Sequence, residues 1–268
     1  MFGGFGTDDT TEHDVENRWH RVRGFGVHSR WSRAAHQFAA PNVVLVHGLV
    51  VASRQTAPLI QRLGSQFPVA SPDLPGFGRS DKPRQVLTIP DLADALAEWM
   101  EEAGIGSAVL IGNSLGCQIA VECALRHSDR VMALVLQGPT PDPSRRSPPK
   151  IIAMNFWNGW REASTGIGDA IDRLQTGPWR AVRTALNMLA DPIEDKLPKV
   201  QVPTMVIRGA KDPVVTMAWA QKVTRLLPKG ILRVVPGAAH TMVAVAGLEI
   251  TRLVTPFIRD VADAAKTR

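Results

Sequence analysis

The chain lacks several features that would assign it to a specialised class of protein. It has 268 residues, of which two are cysteine and none is tyrosine. Two cysteines cannot form the dense disulfide framework of a small secreted scaffold. Cys117 and Cys123 are six residues apart in one predicted helix, a spacing that does not place them on the same face. We therefore expect no disulfide and a reducing compartment.

Long apolar runs and long runs of one charge are also missing. No stretch approaches the ~18 apolar residues of a membrane span, and the N-terminus has no basic segment followed by an apolar one. The net charge is +6, but the basic residues are scattered, with no run of five. We expect a cytoplasmic protein with no membrane span, no nucleic-acid partner and a small-molecule substrate, either apolar or anionic. A homo-oligomer stays open.

What the chain does have is an alternation of short apolar runs and helical patterns. The runs at residues 43–46 and 108–111 are typical of strands buried on both faces of a sheet. The further predicted elements are a hairpin over 18–34 that turns at Gly24-Phe25-Gly26, strands over 67–70, 131–136, 204–208 and 231–235, and helices over 56–66, 90–104, 115–126 and 248–265. This order predicts an α/β fold, with a mostly parallel sheet covered by helices on both faces.

Residues 139–199 interrupt the alternation. They begin with five prolines in eleven positions and contain helical patterns but no convincing strand. We predict a small helical cap inserted between two strands of a single core, which then comprises residues 17–138 and 200–268. Residues 1–16 are polar and rich in glycine, and we expect them to form a flexible tail.

The sharpest motif is Gly112-Asn113-Ser114-Leu115-Gly116. It has the form G-x-S-x-G between a predicted strand and a predicted helix, which is the context of a strained turn that exposes the serine hydroxyl. The turn is so tight that only small residues fit at Gly112 and Gly116. The helix that begins at Leu115 aims its backbone N–H and its dipole at developing negative charge. Ser114 is therefore the predicted nucleophile, and the Leu115 N–H a predicted oxyanion donor.

A serine hydroxyl needs a general base. Of the seven histidines, His240 follows the last predicted strand in a flexible loop at the carboxyl edge, and it is the predicted base. His127 lies ~20 Å from Ser114 along a helix. His47 precedes a glycine in a turn, where a role in shaping the backbone suits it better.

Asp212 follows a strand and is the predicted acid that orients His240. The order Ser114, Asp212, His240 is the one expected for a serine on a strand-to-helix turn. Asp142 also follows a strand, but its proline-rich surroundings favour a cap or turn role. Whether Asp142 assists or replaces Asp212 stays open.

The second oxyanion donor is predicted to be the backbone N–H of Leu49, which follows a sharp turn at Gly48. Side chains of the cap and of the site are candidates for the lining of an apolar pocket, although packing of the cap on the core explains the tryptophans equally well. The predicted pocket residues are Asn113, Phe156, Trp157, Trp160, Trp179 and Met242, with Met154 and Met188 as further apolar candidates. No zinc-ligand spacing and no dinucleotide fingerprint occurs, so we expect no metal and no cofactor.

Four segments together resemble the α/β-hydrolase superfamily, in its single-domain branch with a helical cap. They are residues 46–48, residues 73–80, the elbow at 112–116, and the pair Asp212 and His240. The glycines and aspartate of residues 73–80 suit a tight loop, so we assign them to shape rather than to catalysis. The resemblance implies the α/β-hydrolase fold, and it says little about the substrate.

Within that superfamily the residues exclude some chemistries. An aspartate nucleophile would imply a haloalkane dehalogenase or an epoxide hydrolase, and Ser114 argues against both. The epoxide hydrolases also use cap tyrosines, which this chain lacks. The Gly-Asn-Ser elbow resembles meta-cleavage-product hydrolases, but these carry a tryptophan where Thr241-Met242 follow His240, and their Ser/Gly-rich oxyanion loop is replaced by residues 49–54.

The expected function is a serine hydrolase that cleaves a carboxylic ester, lactone or similar small acyl compound through an acyl-enzyme. Hydrolysis of a carbon–carbon bond is the runner-up, with Arg161, Arg180 and Arg183 of the cap as candidates for an acidic substrate group. A non-catalytic small-molecule receptor and a cofactor-independent oxygenase or lyase that uses His240 as base are further alternatives.

Overall fold

The structure is a computed structural model, and it describes residues 15–33, 40–145, 167–240, 242 and 247–266. Within these residues, eight strands form one sheet in the order β1-β2-β4-β3-β5-β6-β7-β8. The strands are β1 (Val15–Val22), β2 (Phe25–Ser32), β3 (Asn42–Val46), β4 (Val69–Pro72), β5 (Ala108–Asn113), β6 (Val131–Gln137), β7 (Thr204–Gly209) and β8 (Gly230–Val235). The pairs β1–β2 and β2–β4 are antiparallel and the others are parallel. The predicted mostly parallel sheet is confirmed.

Helices cover both faces of this sheet. They are α1 (Ala57–Gly64), α2 (Ile89–Glu102), α3 (Leu115–Arg126), α4 (Ile167–Thr176), α5 (Pro178–Ala190), α6 (Ile193–Lys196), α7 (Met217–Leu226) and α8 (Gly247–Lys266). Neighbouring strand residues point to opposite faces, so Leu110 packs with α2, α3 and α7, whereas Val109 packs with α1 and α8. In the part of the chain that is described, none of these helices combines the length and the apolar character needed to cross a membrane.

The strand boundaries differ from the predicted ones at the antiparallel end of the sheet. The hairpin turns at Arg23 and Gly24, with φ of 52° and 81°, rather than at residues 24–26. A two-residue turn with positive φ at both positions matches the twist of the flanking strands. β4 covers Val69–Pro72 instead of 67–70 because its end also pairs with β2. β1 begins at Val15, two residues inside the segment that we expected to be a tail.

The helices α4, α5 and α6 follow β6 and precede β7, and polar contacts fix the last two to α3. The side-chain amide of Gln118 donates to the carbonyl oxygens of Met188 at 3.0 Å and Asp191 at 2.7 Å. Lys196 forms ion pairs with Asp191 and, at 2.6 Å, with Glu122. Because Gln118 and Glu122 lie on the helix that begins beside Ser114, these contacts attach α5 and α6 to the helix that follows the elbow.

Candidate active site

Ser114 occupies a strained turn between β5 and α3. Its φ is 53° and its ψ is −115°, a conformation that residues other than glycine rarely adopt. The packing around it explains the flanking glycines: a Cβ at Gly112 would lie 2.5 Å from the carbonyl oxygen of Gly116, and a Cβ at Gly116 would collide with the carbonyl oxygen of Val46. The backbone N–H of Ser114 donates to the carbonyl oxygen of Gln137 at 2.9 Å. The turn therefore sits at the carboxyl edge of the adjacent parallel strands β5 and β6.

His240 and Asp212 meet at the same edge of the sheet. Nδ1 of His240 donates to Oδ2 of Asp212 at 2.8 Å. The other carboxylate oxygen, Oδ1, accepts from the backbone N–H groups of Val214 at 2.7 Å and Val215 at 2.9 Å. Arg208 donates to the carbonyl oxygen of Asp212 at 3.1 Å and so fixes the backbone. Both oxygens of the carboxylate are thus engaged, and its orientation is set.

The same contacts determine the charge of Asp212. Burial alone would raise its pKa, but the nearby His240 and the hydrogen bonds from His240, Val215 and Val214 outweigh burial and hold the pKa below its ordinary value. The carboxylate is therefore ionised at neutral pH. An ionised, oriented carboxylate on Nδ1 is what stabilises an imidazolium that forms during proton transfer.

Gly138 packs against the ring of His240. It directly follows β6, the strand that pairs with β5, and Asn113 and Gln137 are partners in that pairing. A Cβ at Gly138 would stand 2.9 Å from Cε1 of His240 and 3.4 Å from Oδ2 of Asp212. The imidazole therefore packs on the backbone at the end of β6, the strand next to the one that precedes Ser114. Our sequence reasoning missed Gly138; the available signal was a glycine at the end of the strand next to the elbow strand.

Ser114 Oγ makes a long hydrogen bond with a threonine hydroxyl. In the described part of the chain its hydrogen-bond partner is Oγ1 of Thr140, at 3.5 Å, rather than His240. Hydrogen bonds between a nucleophile and its base are often long in the absence of substrate and tighten when it binds. Sequence reasoning also missed Thr140, which has no motif around it.

The loop after β3 passes beside Ser114. A Cβ at Gly48 would lie 3.5 Å from Cβ of Ser114 and 3.2 Å from Nδ2 of Asn113. Leu49, the next residue, is half-buried, and Leu115 is fully buried at the start of α3. The two predicted oxyanion donors therefore lie on segments that adjoin Ser114.

His47 holds the start of this loop. Burial lowers its pKa, although a hydrogen bond to the Gly48 carbonyl and the charge of Asp73 act in the opposite direction. In the neutral ring, Nδ1 donates to the carbonyl oxygen of Gly48 at 2.9 Å, and Nε2 accepts the backbone N–H of Leu74 at 3.2 Å. Both ring nitrogens are occupied, which agrees with the backbone-shaping role expected for His47.

The rival acid Asp142 has other partners. Its Oδ1 accepts from the backbone N–H and the hydroxyl of Ser144 at 2.9 and 2.7 Å, and its Oδ2 accepts from the backbone N–H and the hydroxyl of Thr216 at 3.3 and 2.7 Å. Asp142 therefore ties the segment after β6 to the start of α7. Among the described residues, the carboxylate in contact with His240 is that of Asp212.

The described pocket candidates have different surroundings. Asn113 is buried beside the loop after β3, and its Oδ1 has no hydrogen-bond partner among the residues that the structure describes. Trp179 is 70% exposed, because the buried face of α5 is formed by Thr184, Ala185 and Met188. Met242 is fully buried in the apolar core that packs with α1 and α8. That these residues line a substrate pocket stays a prediction. Phe156, Trp157 and Trp160 lie outside the described residues.

Arg180 and Arg183 lie on α5 and have partners of their own. Arg180 donates to the carbonyl oxygen of Pro83 at 2.6 Å, and the guanidinium of Arg183 lies 5.6 Å from the ring centre of Trp179. Arg161 lies outside the described residues.

Residues 73–80 form the neighbouring loop, which centres on a buried carboxylate. Asp73 accepts hydrogen bonds from Nδ1 of His28 at 2.9 Å and from the backbone N–H groups of Ser53 at 2.7 Å and Arg79 at 2.9 Å. Burial alone would raise its pKa, but the hydrogen bonds from His28, Ser53 and Arg79 lower it to about 2. These contacts support the interpretation that the loop has a structural role.

Most of the chain matches the model of a known protein family. Residues 43–249 match the model described as the alpha/beta hydrolase family. The chain belongs to the α/β-hydrolase family. The sequence resemblance is thereby confirmed, and the protein is a hydrolase of this family.

Several known proteins are similar to this α/β hydrolase. The 2-(acetamidomethylene)succinate hydrolase of Mesorhizobium japonicum is 27% identical over 246 residues, which is 82% of this chain and 88% of that protein. An esterase from Thermogutta terrifontis superposes with a TM-score of 0.76 at 23% identity, over 92% of this chain and 99% of the other. An enol-lactonase from Burkholderia xenovorans superposes with a TM-score of 0.75 at 22% identity, over 90% and 100%. At these identities the two structures share the fold.

Proposed function

We propose that this α/β hydrolase is a serine hydrolase that cleaves a carboxylic ester, lactone or similar small acyl compound through an acyl-enzyme. The observation that carries the proposal is the 2.8 Å contact between His240 Nδ1 and Asp212 Oδ2, which lies against Gly138, one strand away from the elbow of Ser114. A nucleophile on a strained turn, with an oriented imidazole beside it, is the arrangement that acyl transfer requires.

In the first half of the proposed reaction, Ser114 Oγ attacks the carbonyl carbon while Nε2 of His240 takes the serine proton. The carbonyl oxygen becomes an oxyanion, which accepts hydrogen bonds from the backbone N–H groups of Leu49 and Leu115. The bond to the leaving group then breaks, and His240 protonates the departing oxygen. Asp212 keeps the imidazole in place and stabilises its charged form throughout.

In the second half, His240 takes a proton from water, and the resulting hydroxide attacks the acyl carbon. A second oxyanion forms in the same place. The bond from the acyl carbon to Ser114 Oγ breaks, His240 returns the proton to that oxygen, and the carboxylic acid leaves. The enzyme is then restored to its starting state.

The predicted cap, residues 139–199, is part of this proposal as the cover of the site. Its support is that Met188 of α5 is buried and lies 3.8 Å from the hydroxyl of Thr140, next to Ser114. We also retain a small substrate, because the similar hydrolase from Mesorhizobium japonicum is named for an acetamido compound of succinate. A cytoplasmic location fits the two cysteines, which are free and buried.

Hydrolysis of a carbon–carbon bond is the second candidate. It is favoured by Asn113, whose buried amide oxygen has no hydrogen-bond partner among the described residues and would suit a polar substrate group beside Ser114. This candidate predicts turnover of coloured dienol acids, whereas the first predicts turnover of esters or lactones.

The test is a panel of p-nitrophenyl esters, lactones and dienol acids, run on the wild type and on Ser114→Ala. Ester or lactone turnover that is lost in Ser114→Ala supports the proposal. Turnover of dienol acids alone supports the second candidate. Turnover that survives in Ser114→Ala contradicts both and indicates base chemistry by His240, and tight binding of panel compounds without turnover indicates a receptor.

A further inference from the structure

The nucleophile has a second hydroxyl beside it. Oγ1 of Thr140 lies 3.5 Å from Oγ of Ser114, and Thr140 is 4% exposed. The backbone that carries it is held on both sides of Pro139: the N–H of Gly138 donates to the carbonyl oxygen of Ile207 at 2.9 Å, and the indole N–H of Trp219 donates to the carbonyl oxygen of Pro139 at 2.9 Å. The hydroxyl is therefore a fixed feature of the site.

The other polar neighbour of this hydroxyl is a weak acceptor. Oγ1 of Thr140 lies 3.8 Å from the thioether sulfur of Met188, which is itself buried. A threonine hydroxyl has one proton to donate, and a thioether sulfur competes poorly for it. An oxygen that is losing its own proton is a much better acceptor. The proton of Thr140 will therefore turn towards Ser114 as that oxygen becomes negative.

The backbone of Met188 is also held in position from the nucleophile's own helix. Gln118, one turn after Ser114 on α3, donates its amide to the carbonyl oxygen of Met188 at 3.0 Å. The contacts form a closed ring from Ser114 along α3 to Gln118, on to Met188 and Thr140, and back to Ser114. Thr140 therefore lies between Ser114 and a buried residue whose backbone is bound to the helix that follows Ser114.

We propose that Thr140 is a further catalytic residue, whose hydroxyl donates a hydrogen bond to Ser114 Oγ whenever negative charge develops on that oxygen. The inference rests on the function proposed above. It differs from the action of Leu49 and Leu115, because their N–H groups bind the carbonyl oxygen of the substrate and Thr140 binds the attacking and departing oxygen.

The hydrogen bond acts in both halves of the reaction. In acylation, the O–H bond of Ser114 breaks, the proton goes to His240, and Oγ forms a bond to carbon while Thr140 donates to it. In deacylation, the carbon–Oγ bond breaks, its electron pair stays on Oγ, and Thr140 donates to that oxygen until His240 returns the proton. Thr140 keeps its own proton in each step.

The variants Thr140→Val and Thr140→Ser separate the hydroxyl from the shape of the side chain. Valine keeps the shape and removes the donor, and serine keeps the donor. A fluorophosphonate probe reports the reactivity of Ser114 Oγ without knowledge of the natural substrate. We expect the labelling rate of Thr140→Val to fall by about 10- to 100-fold, the value of a hydrogen bond to a charged oxygen, and Thr140→Ser to keep most of the wild-type rate.

Ester turnover distinguishes a catalytic role of the Thr140 hydroxyl from a structural one, because kcat and KM can be measured separately. The hydrogen bond strengthens only as charge develops, so Thr140→Val should lower kcat and leave KM unchanged. Thr184→Val is the matched control, because Thr184 of α5 is also buried and its hydroxyl has no hydrogen-bond partner within the described part of the chain. It should keep the wild-type labelling rate.

The outcomes are distinguishable. Equal rates for Thr140→Val and the wild type, or equal losses in Thr140→Val and Thr140→Ser, overturn the inference alone. A wild type that is not labelled, or that is labelled as fast as Ser114→Ala, overturns the proposed function and this inference with it. Thermal unfolding of each variant establishes that a loss of labelling comes from a folded protein.

Discussion

The imidazole ring of His240 packs against the backbone of Gly138 so closely that a Cβ atom there would stand 2.9 Å from Cε1 and 3.0 Å from Nδ1 of the ring. Asp212 holds the same ring through Nδ1. The ring is therefore confined between a backbone surface and a carboxylate. A small displacement at Gly138 would be transmitted to the proposed base.

Gly138→Ala should impair catalysis far more than it impairs folding. Its Cβ would push the imidazole away from Asp212, and a misplacement of about 1 Å in a catalytic group costs about 10²-fold in rate. Gly104→Ala is the control: Gly104 has a φ of 72°, and a Cβ there would meet nothing within 4 Å. Both variants carry backbone strain of about 1–2 kcal/mol. Measurement of kcat/KM and of the free energy of unfolding for both variants separates the loss of catalysis from the loss of stability. Equal values of kcat/KM for Gly138→Ala and Gly104→Ala would contradict the proposed effect of Gly138 on the position of His240.

Asp212→Asn and Asp142→Asn distinguish the two acid candidates. An amide in place of Asp212 cannot stabilise the imidazolium and favours the wrong tautomer, so we expect kcat to fall by about 10⁴-fold. Asp142 binds Ser144 and Thr216 instead, so its variant should lose stability and keep kcat. Steady-state kinetics with one ester substrate distinguishes the two candidates. A larger loss of kcat in Asp142→Asn than in Asp212→Asn would show that Asp142 is the acid that supports His240.

The stabilising effect of Asp73 should depend on pH. Its pKa is lowered from 3.8 to about 2, so its ionised form stabilises the fold above pH 3.8, and this stabilisation is lost as the pH falls through about 2. A shift of this size corresponds to roughly 2 kcal/mol. Urea unfolding should show that the wild type has a larger free energy of unfolding than Asp73→Asn at pH 7, and that this difference is smaller at pH 3.

Asp129→Asn is the control for that comparison, because the side chain of Asp129 is 80% exposed. Its effect on the free energy of unfolding should stay within about 0.5 kcal/mol. A difference between the wild type and Asp73→Asn that does not change with pH would show that the charge of Asp73 is not what stabilises the loop.

The two cysteines should be unreactive in the folded protein. Both are buried; burial raises the pKa of Cys117 well above its ordinary range and that of Cys123 to about 12. Thiolate is the reactive form, so a disulfide reagent that releases a coloured thiol should detect neither residue in native buffer and both in guanidinium chloride. Rapid reaction of either in native buffer would contradict the described packing.

Much of this arrangement could be predicted because it depends on local sequence. The helix over 115–126 was predicted with the bounds that α3 has, and the need for glycine at positions 112 and 116 follows from the tightness of a single turn. Asp212 and His240 each follow a strand, and parallel strands bring such residues to one edge. The structure places these two in contact; their catalytic roles remain predictions.

The rest depends on contacts between segments that are distant in sequence. Gly138 and Thr140 acquire their significance from His240 and Ser114, which lie on other loops, and a single glycine or threonine carries no motif. Trp179 was expected in a pocket because it is large and apolar. It is exposed because α5 turns a different face to the core. The orientation of a helix on its neighbours cannot be read from its composition.

The most direct test of the central claim is to locate the residue that a fluorophosphonate modifies. The wild type, Ser114→Ala and His240→Gln are incubated with the probe, digested and mapped by mass spectrometry. We predict one adduct in the wild type, on Ser114, none in Ser114→Ala, and greatly slowed labelling in His240→Gln. An adduct on another residue, or equal labelling of the wild type and Ser114→Ala, would contradict the assignment of Ser114 as the nucleophile.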